Sequence, residues 1–341
     1  MTAHAITKPR REPRASRRKF LALLSTAFAV LPQSILAQDQ RGPVKKIGVL
    51  WSGTADATAP YWGALIQGLR ELGWVDGKTA KFIMRFDDDD KSRLPKLAAE
   101  LVALGVDVIA VTGAAAQAAC KATTTIPIVV VDSADPIAEA LTLSLGRPRG
   151  NVTGVSWQST ETAAKRLELA REMIPGLKRV AALSDPNDPS SVVEMDGYRA
   201  AVPRIGVELR IFEARSSRDF PAVFAAIKTY QPQALIYPTL TLTVDNLEQT
   251  VRFASNERLP TFSEAAQYAE AGILLTYGAE YRDNYKRAAI QIDKILKGAK
   301  PANIPWEQST KFDLAINLKT AKALGIKIPE SIMVRATQVI R

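Results

Sequence analysis

Histidine and cysteine are nearly absent: among 341 residues there is one of each, His4 and Cys120. His4 lies in a basic leader, so the chain beyond it has no imidazole. Ser-His-Asp and Cys-His catalysis, histidine acid–base chemistry and the usual zinc sites are thereby excluded. A lone thiol forms no internal disulfide; Cys120, set among Ala118, Ala119 and Ala122, reads as a small buried hydrophobe. Gly53 stands alone in its loop, and neither the phosphate-loop nor the dinucleotide fingerprint occurs, so no nucleotide cofactor is expected. The acidic run 87–90 lacks the spacing of a calcium loop and reads as a solvated turn, leaving no expected metal.

Positive charge is plentiful but concentrated. Residues 1–37 carry Lys8, Arg10, Arg11, Arg14, Arg17, Arg18 and Lys19 against Glu12, a net +6 of the total +10, which leaves +4 for the rest. That surplus, with no basic stripe interleaved with aromatics, predicts no nucleic-acid partner. The leader itself has the order of an export signal: a basic start, an apolar stretch over 20–31, Pro32, and a small-residue end at Ala37. Its apolar stretch is shorter than the about 20 residues that span a bilayer. Ser16-Arg17-Arg18-Lys19-Phe20-Leu21 puts paired arginines ahead of that stretch, similar to the twin-arginine signal. No cysteine follows Ala37 to take a lipid, so the expectation is a soluble, exported protein of the periplasm.

What remains exceeds one ordinary core, and apolar content of 47% with 23% charged residues suits a globular chain. Short β-branched runs alternate with amphipathic segments, the pattern of parallel βα units. Strands are predicted at 47–51, 81–86, 107–111 and 128–131, giving four units by residue 145. Between them, Leu65, Leu69 and Leu72, then Leu94, Leu97, Leu101 and Leu104, form helical stripes ended by Gly73 and Gly105. A second series begins at 178–183, with strands at 207–212 and 234–237. The turn-rich segment 149–156 between the two series reads as a first crossover, residues near Tyr277 as a return, and the extended stretch around Pro301 and Pro305 as a further crossing before a last strand and helix from Lys311. Two parallel α/β lobes joined by a hinge follow, with lobe 1 at 44–155 plus 276–306 and lobe 2 at 156–275 plus 307–341.

Several runs then identify a family. Gly68-Leu69-Arg70-Glu71-Leu72-Gly73-Trp74, Leu94-Pro95-Lys96-Leu97-Ala98, Gly150-Asn151-Val152-Thr153-Gly154, Lys294-Ile295-Leu296-Lys297-Gly298 and Ile316-Asn317-Leu318-Lys319 resemble periplasmic substrate-binding proteins of ABC transporters, in the branch for tryptophan or tyrosine or of unassigned ligand. The resemblance covers nearly all of the chain beyond the leader. It implies the type I binding-protein fold, two Rossmann-like lobes with several hinge crossovers, and as partners a small molecule and the permease of an importer, with the protein itself a monomer. The family's usual Arg-Pro-Gly-Gly-Asn is here Arg147-Pro148-Arg149-Gly150-Asn151, a departure in the turn and away from any ligand.

In an open parallel sheet, ligands lie beyond the carboxyl ends of the strands. That places Ser52, Gly53 and Thr54 after the first strand, Thr112, Gly113 and Ala114 after the third, and Asp132, Ser133 and Asp135 after the fourth. Thr112 with the Gly113 and Ala114 amides suits a carboxylate. Asp132 or Asp135 suits an amino group, although Asp135 before Pro136 reads equally as a helix cap. The second lobe offers Ser156, Trp157, Asn187, Pro238, Thr239, Glu264 and Tyr277; Trp157 or Tyr277 stacks on a flat ligand or simply packs the hinge. The leading reading is a non-enzymatic receptor that closes on an amino acid or similar zwitterion, an aromatic one only because the resemblance implies it, and hands it to a permease. A sensor feeding a signalling receptor is the alternative, separable only by the partner. An exported enzyme working through Asp132 and Asp135 is the third, and nothing marks one of these as acid and the other as base.

Overall fold

A computed structural model describes residues 43–148, 150–239 and 241–341. The expected export signal at 1–37 and Arg149 lie outside the described residues. The first series runs β1 (Lys45–Trp51), α1 (Ala59–Glu71), β2 (Ala80–Phe86), α2 (Leu94–Ala103), β3 (Val108–Thr112), α3 (Gly113–Ala122), β4 (Ile128–Ser133) and β5 (Val152–Ser156). The second runs α4 (Ser159–Met173), β6 (Arg179–Ser184), α5 (Pro189–Ile205), β7 (Glu208–Glu213), α6 (Phe220–Tyr230), β8 (Ala234–Ile236), α7 (Thr241–Asp245), α8 (Leu247–Asn256), β9 (Thr261–Ser263), α9 (Gln267–Ala271) and β10 (Leu275–Ala279). The chain closes with α10 (Tyr281–Leu296), β11 (Glu307–Gln308), β12 (Phe312–Asn317), α11 (Leu318–Leu324), α12 (Glu330–Met333) and β13 (Gln338–Ile340).

Two sheets result. The first has the order β11-β5-β4-β3-β1-β2, and the second β13-β12-β10-β9-β8-β6-β7. Every pairing is parallel except β10 with β12. The shared core order β2-β1-β3-β4-β5 and β7-β6-β8-β9-β10 makes the two halves copies of one architecture, two Rossmann-like lobes.

Burial explains why the strands were legible. Parallel strands covered on both faces carry continuous apolar runs. Ile47, Val49 and Trp51 point to one face of the first sheet with Leu65, Leu69 and Ile292, whereas Leu50 points to the other with Leu97, Leu101 and Ala115. Helix α10, from the far end of the chain, thus lies beside α1 and completes the first lobe. The second sheet is covered in the same way, by α4 and α5 on one face and α6 and α8 on the other.

Three expectations are corrected. The segment 149–156 is not a crossover throughout: Val152–Ser156 is a strand of the first sheet, and the chain crosses only at Trp157 and Gln158. Gly154 is glycine because a Cβ there would overlap the Val130 carbonyl oxygen and stand 2.8 Å from the Trp306 ring. Strand β4 is followed by turns rather than a helix, since Glu139 folds back to accept from Ser133 Oγ at 2.8 Å and the Ala134 N–H at 2.9 Å. Nor is the acidic run simply solvated: Asp87 is buried, accepting from Ser52 Oγ at 2.8 Å and the Gly53 N–H at 2.7 Å.

The chain crosses between sheets three times, after β5, after β10 and after β11. Because β10 belongs to the second sheet, the return falls after Ala279, and β11 keeps residues 307–308 with the first. The crossings lie side by side. Gln158 Nε2 donates to the Ser309 carbonyl at 2.5 Å, Ser309 N–H to the Ser156 carbonyl at 3.0 Å, and Glu280 N–H to the Lys311 carbonyl at 3.0 Å.

Candidate functional site

The carboxyl ends of both sets of strands face one cavity, in which a water-sized sphere can be centred over about 100 Å3. From the first sheet come Trp51 and Ser52 at the end of β1, Thr112, Gly113 and Ala114 at the start of α3, and Asp132 in β4. The second supplies Asp188, Ser190 and Glu194 around the start of α5, Thr239 after β8, and Glu264 after β9. Ser52 N–H donates to Thr112 Oγ1 at 3.3 Å across β1 and β3, which is the switch point where the strand order reverses.

Helices α3 and α5 meet end to end. A Cβ on Gly113 would lie 2.7 Å from Ser190 Oγ and 2.8 Å from the Asp132 carbonyl, so glycine is what lets the two N-termini approach. The Gly113 amide is already taken, donating to Asp132 Oδ1 at 2.5 Å. This corrects the expectation that it waits for a ligand carboxylate; the next amides of the first turn, from Ala114 on, have no acceptor inside the helix. Three further bonds tie the lobes: Lys91 Nζ to Asp185 at 2.5 Å, Ser190 Oγ to Glu139 Oε1 at 3.0 Å, and Gln267 Nε2 to Tyr61 OH at 2.6 Å. They make the conformation a closed one.

The lining is acidic. Asp132, Asp188, Glu194 and Glu264 reach the cavity, and no Lys or Arg is among the lining residues. Burial, with neighbouring carboxylates, raises the pKa of Asp132 well above its ordinary range and pushes Glu264 up to about 8. Glu139, just behind, is pushed up to about 7, first by burial and further by the nearby Asp188, although Ser133, Ser190 and the Ala134 amide hold it back. The compensating cations stand outside the lining: Lys91 pairs with Asp185 and lies 3.6 Å from Asp188, and Arg166 is buried behind Glu194 and Glu264.

The same cavity holds an aromatic cluster centred on Tyr285 of α10. Its ring lies 5.8 Å from Trp51, 6.0 Å from Trp157 and 6.4 Å from Tyr61. Tyr61 is pushed up to about 12, chiefly by burial, so its hydroxyl is neutral. Thr239 Oγ1, buried at the cavity wall, has no hydrogen-bond partner in the protein. A buried hydroxyl without a partner is costly unless something else fills the role.

Of the residues expected from sequence, Ser52, Thr112, Gly113, Ala114, Asp132, Trp157, Thr239 and Glu264 are brought together. The others are engaged elsewhere. Gly53 donates to Asp87, Thr54 Oγ1 accepts from the Ala57 N–H at 3.3 Å, and Ser133 bonds Glu139. Asp135 caps the turn at Ile137 and Ala138, at 2.9 and 3.2 Å. The Ser156 carbonyl holds Ser309, and the Asn187 N–H turns onto Asp185 at 2.9 Å. Pro238 accepts from Thr243 at 2.6 Å, while Tyr277 stacks on Phe312 at 6.0 Å in the second sheet.

Sequence reasoning missed Trp51, Tyr61, Asp188, Ser190, Glu194 and Tyr285. One signal was available: Asp188-Pro189-Ser190 repeats the cap-then-proline pattern of Asp135-Pro136, and the Asp188 side chain accepts from the Ser190 N–H at 3.0 Å. Glu194, Tyr61 and Tyr285 project from helix faces, where no local pattern separates lining from packing.

Residues 46–340 match the family of ABC transporter substrate binding proteins. A tyrosine-binding protein of Clostridioides difficile is 25% identical over 264 residues, 77% of this chain and 75% of that one. An ABC domain from Streptococcus pneumonia, solved in complex with L-Trp, is 28% identical with a TM-score of 0.80, covering 87% of this chain and 100% of that one. A conserved domain protein from Vibrio cholerae is 26% identical with a TM-score of 0.82, covering 87% and 99%. The fold is that of the type I periplasmic binding proteins.

Proposed function

We propose, from the fact that this chain belongs to the family of ABC transporter substrate binding proteins, that it binds an aromatic amino acid in the cavity between its lobes and delivers it to the permease of an importer. The observation that carries the reading is the cavity's composition: carboxylates with no Lys or Arg among the lining residues, beside rings gathered around Tyr285. An ammonium group suits the acidic wall, an indole or phenol ring suits the aromatic one, and the α3 amides beyond Gly113 suit a carboxylate. The similar proteins that bind tyrosine and L-Trp support the same ligand class. In this reading Trp51, Ser52, Tyr61, Thr112, Ala114, Asp132, Trp157, Thr239, Glu264 and Tyr285 contact the ligand.

Closure supplies the signal to the permease, since ligand contacts both lobes only in the closed form. The chain works outside the cytoplasm, reaching the periplasm through its basic leader, as a monomer without enzymatic activity. Among the described residues no helix is long and apolar enough to cross a membrane.

Thermal unfolding against amino acids, sugars, nucleosides and carboxylates tests the ligand class. A ligand at 100 times its dissociation constant stabilises by about 2.7 kcal/mol. L-tryptophan or L-tyrosine is expected to raise the Tm, with L-leucine and sugars giving little. A shift confined to sugars or nucleosides would overturn the reading.

A further inference from the structure

The charges along the second-lobe wall do not balance. Glu194 of α5 and Glu264 after β9 both line the cavity, and one cation, Arg166 of α4, stands behind the two. Arg166 is 0% exposed. Its Nη2 bonds Glu194 directly, its Nε donates to Tyr198 OH at 2.6 Å, and its Nη1 donates to the Tyr277 carbonyl at 2.9 Å and Thr162 Oγ1 at 3.2 Å. Tyr198 OH in turn donates to Glu194 at 3.3 Å. Glu194 therefore has a guanidinium and a hydroxyl.

Glu264 has less. Its Oε2 stands 3.6 Å from Arg166 Nη1, beyond hydrogen-bond reach, and otherwise it accepts from the Thr239 backbone. The remaining charged and titratable groups around it are Glu194 and Tyr198 from α5, Tyr61 from α1, Asp132 from β4, Tyr268 from α9 and Tyr285 from α10. None of these is a cation. A second carboxylate sharing one buried guanidinium keeps its proton, because like charges in a low-dielectric site do not both ionise without a second positive charge.

We propose that Arg166 is a positioning residue for ligand binding: by neutralising Glu194 it leaves Glu264 as the carboxylate that receives the ligand's ammonium group, and the proton Glu264 holds in the empty cavity passes to solvent. This rests on the reading of the ligand as an amino acid. The ammonium supplies the missing charge, Glu264 becomes a carboxylate, and one proton leaves for each ligand bound. Burial and the Glu194 charge, which push Glu264 up to about 8, agree with that geometry.

Calorimetric titration of the protein with L-tryptophan at pH 7, in phosphate and in Tris, reads the proton directly. The apparent heats are expected to differ by the release of up to one proton, and the affinity to rise by up to tenfold per pH unit from pH 6 toward 8, then level. Glu264→Gln is expected to lose the slope and bind at least tenfold more weakly. Glu194→Gln hands the full charge of Arg166 to Glu264, so it retains binding while the midpoint of the pH profile moves down; a merely structural Arg166–Glu194 pair moves no midpoint. Arg166→Lys, which keeps the cation, is expected to keep the slope. Equal heats in both buffers with a flat wild-type pH profile would overturn the inference alone, and need no variant to fold. Absence of binding by L-tryptophan and L-tyrosine at every pH would overturn the ligand reading and this inference with it.

Discussion

Ser190 Oγ donates to Glu139 Oε1 at 3.0 Å, and the two residues belong to different lobes, Ser190 to the first turn of α5 and Glu139 to the turns after β4. The bond exists only while the lobes are closed, so it belongs to the closed state's free energy and not to either lobe's. Ser190→Ala is expected to weaken amino-acid binding about fivefold to tenfold, on the order of 1 kcal/mol, with the Tm of the ligand-free protein nearly unchanged. Titration calorimetry beside a melting curve checks it, and wild-type affinity in the variant would remove this bond from closure.

Gly154 makes the opposite kind of prediction, one of fold and not of binding. Its missing Cβ leaves room for the Val130 carbonyl and for the Trp306 ring, which a Cβ would approach to 2.8 Å and which the segment after α10 brings onto the first sheet. Gly154→Ala has no flexible neighbour to displace, because one clash is with backbone. A loss of roughly 3 kcal/mol or more is expected in urea unfolding, in the range of overpacked cores.

Stability should fall as the solution turns alkaline. Glu139 and Glu264 are raised to about 7 and about 8, chiefly by burial, so the folded protein binds more protons than the unfolded chain across that interval. Their contribution is full below the ordinary carboxylate range and is lost as pH rises from that range through 7 and 8, by up to about 8 kcal/mol for the two together. Asp107 and Asp283 are lowered by their lysine and arginine partners against opposing burial, and they pull the other way in acid. Melting curves of the ligand-free protein should peak at about pH 4 to 5 and decline steadily toward pH 8.5. A Tm that climbs steadily to pH 8.5 would contradict the buried acidic wall.

Export makes a separate prediction. With Arg17 and Arg18 both replaced by lysine, a twin-arginine precursor is expected to accumulate in the cytoplasm. Fractionation of cells expressing the variant reads this, and undisturbed export would point to the general secretory route.

The strands of both lobes were readable because sheets buried on two faces leave β-branched runs with little polar interruption, as at Ile128-Val129-Val130-Val131. The strand at Val152–Ser156 was not, because Gly150 before it and Gly154 within it imitate a turn, and the reason for Gly154 lies in a tryptophan about 150 residues further on. The same division holds at the cavity. Residues at strand ends, Ser52, Thr112, Asp132, Thr239 and Glu264, follow from topology alone. Tyr61, Glu194 and Tyr285 line it because helices of both lobes converge there, and Arg166 balances the wall without touching the cavity; such relations exist only in the assembled fold.

The central claim is that an aromatic amino acid occupies the cavity between the lobes, and a crystal structure grown with saturating L-tryptophan or L-tyrosine tests it most directly. The account predicts density for the ligand with its ammonium at Glu264, its ring against Tyr285 and a hydrogen bond to Thr239 Oγ1. Density for the amino acid at any other place, or a cavity left without it at saturation, would contradict the account.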